Sequence, residues 1–249
     1  MEPLAKWIHD LPVLPEGECS YFQDRISRMK AFYLNQALSG EYLDYILNEG
    51  FRRSGHLFYQ NKCPACTQCH SVRIRPNLFY PGKNFRKILK YNSDLRVEID
   101  IPRLTDPKKE IYLKYQQNRH TENHDDVEQL FHTMQTQMYT NPGMSLEWNI
   151  YQGDRLIAFA VMDIGSDSVS AVYSVFDTDF PKRSLGTFFI LHSLLWAKEK
   201  NISFYHLGFF IPGHPKMTYK ARFQPAEIRD PATGNWLDSE KFFKENSKL

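Results

Sequence analysis

A chain of 249 residues, 42% hydrophobic and 24% charged, has an ordinary globular composition and ample length for a real core. Its mean hydropathy is −0.52, and no window holds the roughly 18 apolar residues of a membrane span. The opening MEPLAKWIHDLPVLPEGE lacks a long apolar stretch of secretory type, and four cysteines are too few for a disulfide scaffold at this size, so a cytoplasmic protein with reduced thiols or a metal is expected.

In chain order, Pro3, Pro12 and Pro15 predict an extended, irregular lead-in. Residues 39–50 predict a helix with Ser39 as its cap, apolar Tyr42, Leu43, Ile46 and Leu47 on one face, and Gly50 as its stop. FRRSGHLFYQNK reads as two short strands about Ser54-Gly55, and SVRIRPNL as a strand that Pro76 ends or places at an edge. Residues 83–92 predict a basic helix or turn. A boundary is expected near 100–107, with helices over 107–120 and from Asp125 to Tyr139. SLEWNIYQ, RLIAFAVMDIG and SVSAVYSVFD, joined at Gly153-Asp154 and Ser166-Asp167, predict three antiparallel strands. Residues 184–201 predict a largely buried helix and 202–210 a following strand.

Charge is unevenly spread. The net charge of +2 conceals a tract, residues 51–93, with nine Lys or Arg and no Asp or Glu. The rest of the chain carries 22 basic and 29 acidic residues, a net of −7. The same tract holds Phe51, Phe58, Tyr59, Phe79, Tyr80, Phe85 and Tyr91. Cations suit phosphates and aromatic rings stack on unpaired bases, so the tract reads either as a nucleic-acid surface or as a solvated basic face over an aromatic core.

Cys63, Cys66 and Cys69 place three thiols within seven residues, with Cys19 as a fourth donor. Soft thiolates at this spacing suit zinc or an iron–sulfur cluster, and the alternative is a set of reduced thiols that pack the lobe. The chain has no HExxH, GxSxG or Walker sequence. Asp177 ends a predicted strand, where site residues often stand, and Lys216, Tyr219 and Lys220 crowd two cations and a phenol into five residues, a cluster suited to a carboxylate or phosphate.

The order β-β-β-α-β, with an RxxG loop before the helix, is that of the N-acetyltransferase (GNAT) core. The expected fold is therefore α+β, with a basic, Cys-containing lobe over residues 1–100 and a GNAT-like acyltransferase domain over 101–249. Coenzyme A binders continue the loop as RxxGxG or RxxGxA. Here Arg183-Ser184-Leu185-Gly186-Thr187-Phe188 places a Phe where backbone must approach a pyrophosphate, which weighs against that cofactor.

GFRRSG (50–55), CPACTQC (63–69), VRIRP (72–76), FRKILKYNSDL (85–95), SAVYSVFD (170–177), RSLGTFFIL (183–191), LGFFI (207–211) and KMTYKARFQP (216–225) together resemble the arginyl-tRNA–protein transferase family, in its bacterial aspartate/glutamate leucyltransferase branch. The resemblance implies transfer of an amino acid, leucine favoured over arginine, from charged tRNA to the N-terminal α-amine of proteins starting with Asp or Glu, producing an N-degron. Coenzyme A-dependent N-acyl transfer is the competing reading. The resemblance further implies that Asp177 and Tyr173 act in catalysis, with Asp177 orienting or deprotonating the amine. Lys216, Tyr219, Lys220, Ser184, Gly186, Arg119 and His120 would bind substrate. Arg52, Arg53, Arg73, Arg75, Arg86, Lys87 and Lys90 would contact tRNA or the acidic residue of the acceptor. No cofactor is required for the transfer itself, zinc or a cluster at Cys19, Cys63, Cys66 and Cys69 is an added expectation, and no membrane partner is expected.

Overall fold

The computed structural model describes residues 2–119, 126–240 and 242–243. It begins with helix α1 (Glu2–Asp10), where an irregular lead-in was expected. Pro3 falls in the first turn, where it costs no hydrogen bond. Leu4, Ile8 and Leu11 recur at helical spacing and pack on a small core of Phe32, Leu43, Ile46, Leu47, Phe51 and Phe58. The tertiary core, not the proline count, decides this segment.

A short ribbon, β1 (Gly17–Glu18) and β2 (Ile26–Ser27), precedes β3 (Met29–Tyr33). Helix α2 (Gly40–Asn48) begins as its sequence predicts, the Ser39 hydroxyl accepting the Tyr42 N–H at 3.4 Å. Strands β4 (Arg52–Ser54) and β5 (Leu57–Asn61) form the expected hairpin, with Gly55 at φ +61° in the turn. With β3 they make a three-stranded sheet in the order β3-β5-β4, covered by α1 and α2.

The remaining elements build one large sheet. They are β6 (His70–Ile74), α3 (Lys83–Tyr91), β7 (Arg96–Asp100), α4 (Asp106–Arg119), α5 (Val127–Met134), β8 (Met144–Gln152), β9 (Arg155–Ile164), β10 (Ser168–Phe176), α6 (Leu185–Glu199), β11 (Phe204–Phe210), β12 (Ala226–Arg229) and β13 (Trp236–Asp238). The eight strands run β13-β12-β6-β11-β10-β9-β8-β7, all neighbours antiparallel except β10 and β11, which the α6 crossover makes parallel. The expected boundary at residue 100 does not divide the sheets, because β6 and β7, from the N-terminal half, sit in the sheet built by the C-terminal half. Tertiary pairing of β6 with β11 and β12 is invisible to a local reading.

Strand alternation sorts the core onto two faces. Ala158, Ala160 and Met162 of β9 turn toward α6 and α3 with Trp148, Phe189, Leu191 and Phe85. Phe159 and Val161 turn the other way, onto Ile111, Tyr112, Met134 and Met138 of α4, α5 and the π turn that follows. The small sheet is fastened to the large one by a buried pair. The Arg53 guanidinium gives Nε and Nη2 to the Asp163 carboxylate at 2.6 and 2.7 Å, with Nη1 on the carbonyls of Gly55 and Thr140. Ser145 and Asn141 satisfy the same carboxylate from β8 and the turn before it. A buried charge pair is tolerated when its polar atoms are hydrogen-bonded, and each nitrogen and oxygen of this pair has a partner.

Candidate active site at the parted strands

Strands β10 and β11 pair only from Ser168–Ser170 to Phe204–His206. Beyond that point each is thrown off register with its other neighbour, β10 between Ala171 and Tyr173 and β11 between His206 and Gly208. Bulges bend a strand and raise its twist. Both strands nevertheless run on, to Phe176 and Phe210, so their C-terminal halves part and leave backbone groups unclaimed by a β10–β11 ladder. A cleft outside the carboxyl ends of parallel strands is where open α/β sheets place ligands.

One guanidinium stands in this region. Gly208 has φ +87°, and a Cβ there would collide with Arg52. The glycine therefore serves close approach of a cation to the strand backbone. The Arg52 Nη1 is buried and has no hydrogen-bond partner. Its charge acts on Tyr21, Tyr205, His206, Tyr219 and Lys220. Burial and then Arg73 and Arg52 push the His206 pKa down to about 3, so that ring is neutral at physiological pH. Burial pushes the Tyr219 hydroxyl up to about 12, keeping it a donor. Burial, reinforced by Arg52, brings Lys220 down to about 7. Lys220 donates from Nζ to the Phe209 carbonyl, one of the backbone groups of the parted β11.

The sequence cluster of Lys216, Tyr219 and Lys220 is thus split. Lys220 is buried beneath the 3-10 turn Thr218–Arg222. Tyr219, 36% exposed, lines a cavity of about 820 Å³ with Ala221, Arg222, Pro225, Asp238 and Phe243. Lys216 lies exposed to solvent. Arg222 and Asp238 have no counterpart in the sequence expectations.

Asp177 does not join them. It lines a separate cavity of about 360 Å³ with Lys114 and Arg155. Lys114 meets Oδ1 at 2.7 Å, Arg155 meets Oδ2 at 2.5 Å, and the Asp179 N–H also donates to Oδ1. Burial pulls its pKa up, but Lys114, the Asp179 N–H and Arg155 together hold it below the ordinary carboxylate value. A carboxylate so engaged is a weak base, which weighs against the expected role in deprotonation. The Tyr173 hydroxyl accepts from Gln116 at 3.3 Å, beside Tyr112 on the α4 side of the sheet.

At the start of α6, Ser184 has φ +51° and its side chain caps nothing. Gly186 has a packing reason, since a Cβ there would stand 3.3 Å from the Phe176 ring. Arg183 is held by the Asp94 carboxylate at 2.8 and 2.9 Å. His120 and the side chain of Arg119 lie outside the described residues.

The basic residues expected on tRNA separate into three groups. Arg52 stands against Gly208 of the parted β11. Arg53 is withdrawn into its pair with Asp163, its side chain 2% exposed, and Arg73 is withdrawn between Phe204 and Trp236 with Glu227 at 2.5 Å; neither presents a free cation. Arg75 shares Glu227 at 2.9 Å. Lys87, Lys90 and Arg86 are exposed on α3, alongside Lys83. Near them Tyr80 is 75% exposed with the Lys198 ammonium 3.6 Å from its ring centre. Arg222 lies 5.3 Å over Phe85 of α3, which brings this basic helix to the rim of the Tyr219 cavity.

The thiols of Cys19, Cys63 and Cys69 line a cavity of about 230 Å³ with Tyr21 and Tyr59, while Cys66 accepts a long contact from Arg25. Burial and the neighbouring Cys63, Cys66 and Cys19 push Cys69 up to about 12. Among the described residues no three His, Cys, Asp or Glu side chains are arranged to hold one metal ion, so these thiols as placed are not a ready ligand set.

A mixed sheet of antiparallel strands, a crossover helix and a parting parallel pair, with a basic helix at its rim, defines an acyltransferase fold of GNAT type. The chain belongs to the arginine-tRNA-protein transferase family: residues 17–87 match the family profile for the N terminus of these proteins and residues 107–230 that for the C terminus. An aspartate/glutamate leucyltransferase of Leptospira interrogans is 39% identical over 98% of this chain and 96% of its own length. One from Stenotrophomonas maltophilia is 34% identical over 86% and 88%. Among solved structures, FemX aligns with a TM-score of 0.42 at 9% identity over 69% of this chain and 60% of its own, and L-PGS from Bacillus licheniformis with 0.41 at 10% over 73% and 57%.

Proposed function

We propose that this protein transfers leucine from charged tRNA to the N-terminal α-amine of proteins that begin with Asp or Glu. The observation that carries the reading is Arg52: a guanidinium with a buried, unpartnered Nη1, set over Gly208 where the strands part. A buried donor left unsatisfied costs free energy, about 1–3 kcal/mol, which a carboxylate recovers through a charge-assisted hydrogen bond. An acidic first side chain supplies that carboxylate and places its own α-amine beside the cleft.

Attack of the neutral amine nitrogen on the ester carbonyl carbon forms the amide and breaks the bond to the 3′ oxygen of the terminal adenosine, which takes the second proton of the attacking nitrogen and leaves as the tRNA hydroxyl. The proton shed by the acceptor ammonium passes to Lys220, whose pKa near 7 lets it accept at neutral pH. The ester supplies the driving force, so neither ATP nor coenzyme A is consumed. The exposed cations of α3, with Tyr80 and Arg222, form the approach for the acceptor arm, and the 820 Å³ cavity beside Tyr219 takes the aminoacyl end. Ala221, Pro225 and Phe243 give that cavity an apolar wall for leucine. A second reading, arginyl transfer, is favoured by Asp238 and Glu240 in the same lining.

The test combines tRNA charged with leucine or arginine and peptides beginning Asp, Glu, Arg or Ala. Leucine added to the Asp and Glu peptides alone, with the preference lost in Arg52→Met, is the expected result. Addition from arginyl-tRNA selects the second reading, and no added mass from either tRNA overturns both.

A further inference from the structure

A second basic cavity lies across the small sheet from the cysteines. The chain alternates along β5 and just beyond it: Tyr59 and Asn61 line the thiol cavity, whereas Gln60 and, one residue past the strand, Lys62 line one of about 580 Å³ bounded by α1, α2 and β12. Its walls carry Lys6, Lys30, Lys62 and Arg229, together with His9, against a single carboxylate, Glu49. Arg229 is already tied, with Nη2 on Glu49 at 2.9 Å and Nε on the Asn48 carbonyl at 3.2 Å, and Lys30 donates to the His9 carbonyl at 2.8 Å. Lys62, by contrast, makes no side-chain hydrogen bond or ion pair among the described residues, although it is half-buried. Burial, then Arg229 and Lys30, lowers its pKa, and Glu49 does not offset them. The volume is that of a small-molecule site, and the Tyr45 and Gln60 side chains add polar groups to its wall.

We infer that this cavity binds an anion carrying two or more phosphate groups. Four cations line one cavity whose one carboxylate, Glu49, Arg229 already engages, which leaves an excess of positive charge facing that cavity. Lys6, Lys30 and Lys62 line the same cavity, so an anion with several phosphates offers these cations more charge and more acceptor oxygens than a single phosphate does. The cavity shares no lining residue with the Tyr219 cavity. Its ligand is either a free polyphosphate or nucleotide, or successive phosphates of an RNA strand, and the two are separable.

The probes are inorganic tripolyphosphate and uncharged tRNA, titrated by calorimetry at fixed ionic strength into the whole chain. Saturable one-to-one binding of tripolyphosphate, weakened about tenfold or more by Lys62→Gln and by Lys6→Gln but not by Lys200→Gln at the exposed end of α6, is the expected result. Lys6 is exposed on α1, so its variant tests the site even where Lys62→Gln disturbs the fold. If tripolyphosphate competes with tRNA and Lys62→Gln weakens both, RNA is the natural occupant; if tRNA binding is untouched, a free polyphosphate is. Absence of saturable binding, or binding indifferent to both variants, overturns the inference while leaving the transferase reading in place.

Discussion

Replacing Lys220 by methionine tests whether a buried lysine is held at low charge beneath the site. In the unfolded chain Lys220 keeps its proton up to about pH 10.5, and in the fold only up to about 7. Between those values folding releases a proton, so stability rises with pH; below 7 both states are protonated and the whole cost of the buried charge is borne. That displacement corresponds to roughly 5 kcal/mol at acidic pH, of which roughly 2 kcal/mol should be regained between pH 7 and pH 9. Methionine keeps much of the stem's volume and cannot titrate. The difference in unfolding free energy between wild type and Lys220→Met, from urea titrations at pH 6, 7, 8 and 9, should therefore shrink steadily in the wild type's favour as pH rises. Other groups titrate alike in both proteins and cancel. A difference that stays flat across this range would refute the buried, depressed lysine. The same variant should abolish the rise of kcat/KM through pH 7.

Arg53→Met strands Asp163 in the core without its partner, and should cost about 3–5 kcal/mol in denaturant unfolding, far more than Arg75→Met. Gly208→Ala drives a methyl into Arg52 at a positive φ; discrimination between Asp- and Ala-starting peptides should fall while tRNA affinity is kept, as read by filter binding. Asp177→Asn should leave the pH profile of transfer unchanged and lower stability by about 1–3 kcal/mol through its lost partners, since its carboxylate serves Lys114 and Arg155. Lys87→Ala and Lys90→Ala should each weaken tRNA binding and reduce its salt slope by about 1; an unchanged slope would remove α3 from the interface.

Much of the fold was legible because its signals are local. The Ser39 cap, the Ser54-Gly55 turn and the three alternating strands of the central meander appear where capping, turn chemistry and period-two patterning place them. The lead-in failed because proline near an N-terminus permits a helix as readily as it permits irregular chain, and Leu4 and Ile8 had a core to join. The site was legible only in part. Gly208 inside a hydrophobic strand was a usable sign of close backbone approach, yet nothing local says that the approaching group is Arg52, 156 residues earlier.

By itself the sequence determines the order of elements, the basic tract, the thiol-rich loop and the ordered set of segments shared with the transferase family. Those depend on neighbours along the chain. The tertiary structure alone decides which of two adjacent arginines serves the cleft: alternation in β4 sends Arg52 to Gly208 and Arg53 to Asp163, and only the packing of the two sheets says which side is the cleft. It likewise cages Asp177 between Lys114 and Arg155 and buries Lys220 while exposing Lys216. Charge acquires a chemical role from its surroundings, and in a folded chain those surroundings come from residues far away in sequence.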